Sequence, residues 1–391
     1  MTGSTLSRKT LLLMSFAVGA TVANLYYNQP LLEQIRESFG ASVQQVGLIP
    51  SLTQIGYAIG MLFLVPLGDM MDRRKLVVFF TILSAFAMAL IAAAPFLNLV
   101  VAGSLFLGLA TMTPQLLVPF AAHLAEPENR GKVVGTMMSG LLLGILLART
   151  VSGFIGAAFG WRMMFGIAAA VLIGIAVMLH RLLPQSTPSY TGTYQGLLKS
   201  VLEIFREQPV LREACFFGAM FFGAFSAFWA TLIHLMESES FHLGSRAVGL
   251  YGLLGAAAAL LAPYVGSITD KHNPRNVTGM MFALTILSFL IFLFSGQSLF
   301  GIAMGVLLMD IGVQSGHVSN QGRIFGLLPN AHSRLQTAYM FWYFTGGAFG
   351  SWIASLAWSH YYWGGVCGVA LLLLVAGMVR YLLPAPKKTR A

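Results

Sequence analysis

Long apolar runs separated by short polar turns make up most of this chain. Twelve of them, at 10–31, 46–67, 76–95, 98–122, 133–158, 162–183, 213–236, 246–267, 277–295, 298–322, 335–357 and 361–383, approach the ~20 residues that cross a bilayer as a helix. The pattern is written twice. Ser38-Phe39, six residues and Val46-Gly47-Leu48 recur as Ser240-Phe241, six residues and Val248-Gly249-Leu250. About twenty residues after each copy comes a Gly with a short acidic and basic turn, at Gly68-Asp69 and at Gly266 with Asp270. A repeat in an apolar chain predicts two related helical bundles with a site between them. The expected domains are a six-helix bundle over 1–183, a linker over 184–212 and a second six-helix bundle over 213–391.

The linker opens with Pro184-Gln185-Ser186-Thr187-Pro188. Beyond it, Leu197, Leu198, Val201, Ile204 and Phe205 fall at helical spacing and predict an amphipathic helix on the membrane surface.

Composition agrees with a bilayer protein. The 391 residues are 57% hydrophobic and 9% charged, against about 25% charged in a soluble domain. The 42 glycines suit close helix packing in lipid. The net charge of +10 suggests nucleic acid until its placement is considered. Of 23 Lys and Arg, all but Arg36, Arg162, Arg246 and the mid-span Arg149 fall on one side of the predicted topology. That asymmetry sets orientation, with both termini in the cytoplasm. No basic patch interleaved with aromatics supports nucleic-acid binding. The first span carries Asn24, Tyr26, Tyr27, Asn28 and Gln29 and lacks a small-residue cleavage site, unlike a signal peptide. Cys215 and Cys367 lack metal-ligand spacing and read as buried apolar side chains.

The turn Gly68-Asp69-Met70-Met71-Asp72-Arg73-Arg74-Lys75, its counterpart Gly266-Ser267-Ile268-Thr269-Asp270-Lys271-His272-Asn273-Pro274-Arg275, and Gly160-Trp161-Arg162 together resemble the major facilitator superfamily. The resemblance covers essentially the whole chain. It implies an all-α membrane protein with twelve transmembrane helices in two pseudo-symmetric six-helix bundles. It also implies that spans 1, 4, 7 and 10 line a cavity and that spans 5 and 8 meet between the bundles. Asp69, Arg73, Arg74, Asp270, Lys271 and Arg275, with Arg130 and Arg334 at matching places, are the expected conformational latch. Tyr26-Tyr27-Asn28-Gln29-Pro30-Leu31-Leu32 is similar to a bacterial drug–proton antiporter subgroup. Two features depart from that subgroup. Span 5 has Ala148-Arg149 and Ser152-Gly153 in place of its Gly-Pro and Gly-Gly, and Ser104 stands near the place of a usual span 4 Arg.

Among thirteen acidic residues, only Asp310 lies deep in a span by this topology, and only Arg149 among the basic ones. A charge at the bilayer centre costs ~2.5–3.5 kcal/mol on insertion scales, so each should pair or line water. If rocking separates them, Asp310 takes up a proton; if it joins them, the proton leaves. The expected proton-coupling residues are Asp310, Arg149 and His317. A static buried ion pair is the structural alternative, and an anion-binding role for Arg149 is a third. Asn24, Tyr27, Asn28, Gln54, Gln115, Gln314, Trp342 and Tyr343 are expected to line the substrate cavity. His234 and Glu237 are expected to meet solvent at the outer end of span 7.

The expected function is a secondary transporter of a bacterial cytoplasmic membrane, exporting a small organic or amphipathic molecule in exchange for protons. The alternative is an uptake carrier or facilitator for an anion or nutrient. No Gly-x-x-x-x-Gly-Lys-Ser/Thr loop is present, so the energy source is a gradient and no cofactor is expected. Ser315 and His317 are two apart on a helix and face different ways, which argues against an enzyme. One twelve-span chain suffices for alternating access, so the expected working unit is a monomer with substrate, protons and lipid as partners.

Overall fold

The computed structural model describes residues 7–126, 129–186, 193–255, 273–328 and 331–386, without the side chains of Arg130 and His332. Within these residues every regular element is helical. Ten stretches are long and apolar enough to cross a membrane, from Arg8–Phe39 to Ser333–Leu382. The last runs 50 residues, twice what one crossing needs, and breaks at Tyr362, whose φ of 49° and ψ of −143° are not helical. It therefore contains spans 11 and 12. Span 8 begins as a helix over 245–255. The fold is thus twelve transmembrane helices in two pseudo-symmetric bundles.

The symmetry is visible in how the helices touch. In the first half, Gly19 of span 1 abuts Gly140 and Gly144 of span 5, so that a Cβ on any of the three would strike the facing backbone. In the second half, Gly223 of span 7 abuts Gly346 and Gly350 of span 11 in the same way. Each pair is a small-xxx-small stripe, which lets backbones approach where lipid supplies no hydrophobic drive between helices. Spans 5 and 8 form a third seam, between the halves. Gly153 packs on the Ser245 carbonyl, Gly249 on the Thr150 backbone, and Thr150 Oγ1 donates to the Gly249 carbonyl at 2.8 Å.

Span 1 is interrupted. Its α-helix Arg8–Val22 gives way to 3₁₀ turns at Ala23–Leu25 and Gln29–Leu31 before the helix Leu32–Phe39 resumes. Pro30 removes a backbone donor there. The linker helix forms over Tyr194–Glu207 and buries Val201 and Ile204. Phe205 stacks on Trp342 of span 11 at 5.7 Å, and the Tyr194 hydroxyl donates to the Phe63 carbonyl at 2.6 Å. The helix therefore grips both halves. Cys215 and Cys367 are free and buried.

Candidate functional site

Arg149 sits where the halves meet. The residue is 3% exposed, and its Nε donates to Gln29 Oε1 at 2.6 Å. The guanidinium lies over Trp229 at 4.1 Å, Tyr26 at 4.9 Å and Phe225 at 5.4 Å from the ring centres. An arginine of the first half is thus clamped by span 7 aromatics of the second. Ring faces attract a guanidinium, and more strongly where water is excluded. Nη2 has no hydrogen-bond partner among the described residues.

Asp310, also 3% exposed, lies in the middle of the helix Leu299–Phe325. Its Oδ2 has no hydrogen-bond partner among the described residues. No ion pair within 4.0 Å joins it to Arg149 there. The two instead abut neighbouring turns of span 8: a Cβ on Gly252 would stand 3.1 Å from Arg149 Cβ, and one on Gly255 would stand 3.1 Å from Asp310 Oδ2. Residues three apart share a helix face. Arg149 and Asp310 therefore pack one turn apart on the same glycine face of span 8, with no ion pair between them.

Other expected cavity residues fall into two groups. Gln54 bridges the halves, donating to Ser351 Oγ at 3.4 Å and accepting from Ser226 Oγ at 3.3 Å. Gln115 donates to the Tyr57 hydroxyl at 2.9 Å, and Tyr57 packs edge-on against Phe344 of the second half at 4.5 Å. Asn28 holds Thr53 at 3.4 Å. Asn24 is buried with neither amide atom partnered among the described residues. Tyr343 is buried and stacks on Phe222 at 4.1 Å, and His317 Nδ1 meets the Tyr339 hydroxyl at 3.0 Å. Gln314 is half-buried.

The second group is placed differently. Trp342 faces outward onto the linker helix, because its neighbour Tyr343 takes the inner face and adjacent helical positions diverge by about 100°. Tyr27 lines a groove with Gly19, Gly140 and Leu147, and it is Tyr26 that meets Arg149. The 3₁₀ turns rotate span 1 between the two tyrosines and the α-helix before them. Gln29 and Tyr57 were not anticipated. Both lie within spans 1 and 2, and nothing in the pattern marked them apart from the other polar positions there.

Of the expected latch residues, Asp69, Arg73, Arg74 and Arg275 are tied within their own halves. Asp69 pairs with Arg73 at 2.9 Å. Asp72 accepts from the Arg74 amide at 3.0 Å and from the Ser186 amide at 3.1 Å, and Arg74 reaches the His180 carbonyl. Arg275 bonds Glu213 and the Tyr381 and Leu383 carbonyls. Arg334 is half-buried. Asp270 and Lys271 lie outside the described residues, as does the side chain of Arg130.

Two further carboxylates are buried, at the ends of the molecule rather than deep in a span. Glu213, its side chain 1% exposed, gathers Arg275, Arg323 and Arg380 at the end of the molecule that carries the termini. Glu33 at the opposite end accepts from Arg36 and meets His234 Nδ1 at 2.7 Å. His234 is 5% exposed, so it does not face solvent. That contact crosses between the halves, as do Gln44 to Ser359 at 2.7 Å and Gln34 to Ser245 at 3.3 Å. All three lie at the end away from the termini. At the terminal end, Asp69, Arg73, Gln115 and Ser333 border an open cavity of about 390 Å³.

The relatives of this chain agree with the architecture. It is 42% identical over 362 residues to "Uncharacterized transporter YgaY" of Escherichia coli O157:H7, covering 93% of this chain and 92% of that one. It is 34% identical to "Probable transporter SCO4007" of Streptomyces coelicolor, covering 95% and 86%. Its fold matches a bacterial homologue of the human lysosomal transporter Spinster, solved inward-facing and occupied, with a TM-score of 0.78 at 14% identity over 97% of both chains. The Major Facilitator Superfamily model matches residues 11–351. The chain is a multi-pass membrane transporter and belongs to the major facilitator superfamily.

Proposed function

We propose that this transporter exports a small organic molecule from a bacterial cytoplasm in exchange for protons, as a drug–proton antiporter would, and that Asp310 carries the coupling proton. The observation that carries the reading is that Asp310 and Arg149, both buried, abut the same glycine face of span 8 without an ion pair between them. A buried carboxylate without a counter-ion favours its protonated form, and one beside a guanidinium favours its charged form. Rocking of the halves about the seam of spans 5 and 8 changes which condition holds. In this reading both termini lie in the cytoplasm, and the contacts Glu33–His234, Gln44–Ser359 and Gln34–Ser245 tie the halves at the outer end, as an inward-facing state would, while cavities open at both ends. The latch residues Asp69, Arg73 and Arg74, with Arg275 and its neighbours, then serve the state in which the cytoplasmic end closes.

Proteoliposomes test the reading. Labelled candidate compounds should accumulate against a gradient only when protons flow the other way. Asp310→Asn should still exchange labelled for unlabelled substrate but no longer accumulate it. Equal accumulation by Asp310→Asn would contradict the proposal. Arg149 Nη2 supports a second reading, a carrier for an anionic solute, since a buried guanidinium with a free donor suits a carboxylate or phosphate. Transport indifferent to the proton gradient but lost in Arg149→Gln would favour it.

A further inference from the structure

A cavity of about 1110 Å³ opens at the end opposite the termini, apart from Arg149 and Asp310. Its walls are of two kinds. Glu33, Glu237 and Glu239 supply charge, and Trp358, Tyr362 and Trp363 at the break between spans 11 and 12 supply rings. One carboxylate oxygen from each of Glu33, Glu37 and Glu237 lies within 4.8 Å of the others. Arg36 is the one guanidinium among the lining residues. Three lining carboxylates, with Glu37 beside them, thus stand against a single fixed positive charge among the lining residues. His234, buried and lining the same cavity, keeps Nε2 without a partner among the described residues.

The aromatic wall is built inward. Trp358 and Trp363 are each 8% exposed, whereas tryptophans at a membrane surface ordinarily sit in the headgroup belt. Trp363 Nε1 donates to the Phe292 carbonyl at 2.9 Å, which fixes its ring. Trp358 lies 5.8 Å from the His234 ring and 6.4 Å from both Tyr362 and Trp363.

We propose that this vestibule binds an organic cation, a quaternary or protonated amine or phosphonium that carries apolar groups. Ring faces attract such a cation through their quadrupole and cover its apolar parts, while the carboxylates supply the opposite charge. The volume of about 1110 Å³ is slightly above the roughly 300–1,000 Å³ of drug-sized ligand sites, enough for a ligand of that size. A bare divalent ion would use the carboxylates but leave the rings and most of the space without a role. An organic anion would be repelled. The vestibule draws walls from both halves, so its occupancy is sensitive to their relative position.

Binding should depend on pH. Burial, with Glu33 and Glu37 nearby, pushes Glu237 up to about 7 against the opposing pull of Arg36. The groups facing it are Glu33, Arg36 and Glu37 from the end of span 1, His234 from span 7 and Glu239 from its own loop. Between pH 6 and 8 Glu237 loses its proton and the vestibule gains negative charge. A cation therefore binds more tightly as pH rises, and its binding expels a proton.

The test is equilibrium binding of radiolabelled tetraphenylphosphonium to the full-length protein in nanodiscs at pH 6 and 8. Expected are saturable binding that is tighter at pH 8, at least tenfold weaker in Trp358→Ala, and nearly independent of pH in Glu237→Gln. Asp310→Asn should leave it in place, which separates this site from the proposed coupling residue. Trp358→Phe keeps a ring and should bind between wild type and Trp358→Ala, so the wall remains testable if the alanine variant misfolds. No saturable binding to wild type at pH 8 would overturn the proposal. So would binding lost in Asp310→Asn but kept in the Trp358 variants, or manganese(II) binding at Glu237 that tetraphenylphosphonium does not displace.

Discussion

The Arg149 guanidinium of the first half rests 4.1 Å from the centre of the Trp229 ring of the second. Two halves that must move against each other are thus joined at mid-membrane by a contact that is strong in a dry site and indifferent to small sliding. A ring face holds a cation over a range of positions, whereas a bidentate ion pair holds it in one.

Removing that face should be costly. Trp229→Leu forfeits about 2 kcal/mol of desolvated cation–π attraction and should lower both the melting temperature of the detergent-purified protein and its transport rate. Trp229→Phe should lose less, since a benzene face still attracts the guanidinium. Arg149→Lys should behave like a loss rather than a conservative change, because an ammonium cannot both reach Gln29 and lie flat on the rings. Thermal unfolding followed by size-exclusion chromatography measures all three.

The glycine seam makes a sharper prediction. A Cβ at Gly153 would meet the Ser245 carbonyl, while one at Gly174 meets nothing within 4 Å. Gly153→Leu should hold spans 5 and 8 apart and abolish transport while the protein still reaches the membrane. Gly174→Leu should leave transport within about twofold of wild type, as surface changes away from special contacts shift stability by less than ~0.5 kcal/mol. Transport assays on membranes with matched protein levels decide it.

Much of this fold was legible in the chain. The twelve apolar runs, the duplicated Ser-Phe…Val-Gly-Leu segment and the amphipathic Tyr194–Glu207 helix all follow from local pattern. Asp310 and Arg149 stood out because charge in a span is rare. Their relation did not, because it depends on how Gly252 and Gly255 stack against two different helices. Glu33 and His234 were hidden for a related reason. They are 201 residues apart, and each lies near a span end, where a charged side chain ordinarily meets water. Tyr26 and Tyr27 exchange roles because span 1 leaves the 3.6-residue period at Ala23–Leu25, which no periodic reading foresees.

Glu213 supports a prediction about stability. One buried carboxylate serves Arg275, Arg323 and Arg380. Glu213→Gln leaves three guanidiniums facing one another without a counter-charge, and breaking a buried ion pair costs about 3–5 kcal/mol. Arg380→Gln removes one cation from three and should cost much less. The ordering of their melting temperatures, wild type above Arg380→Gln above Glu213→Gln, checks the account.

The linker helix should report on both halves. Tyr194→Phe deletes the hydrogen bond to the Phe63 carbonyl, worth about 0.5–1.5 kcal/mol. Phe205→Ala removes the ring on Trp342. Together they should raise amide exchange across Tyr194–Glu207 several-fold and leave the interior of the helix Pro209–Met236 protected, as hydrogen exchange with mass spectrometry would read.

The most direct test of the central claim is proton release by purified protein in weakly buffered detergent when a transported compound is added. If Asp310 carries the coupling proton, protein carrying Glu237→Gln, which silences the vestibule carboxylate, releases protons on binding at a pH where the Asp310 carboxyl is protonated, and the same protein with Asp310→Asn added binds the compound but releases none. Equal release with Asp310→Asn added would contradict the account and reduce Asp310 to a structural carboxylate.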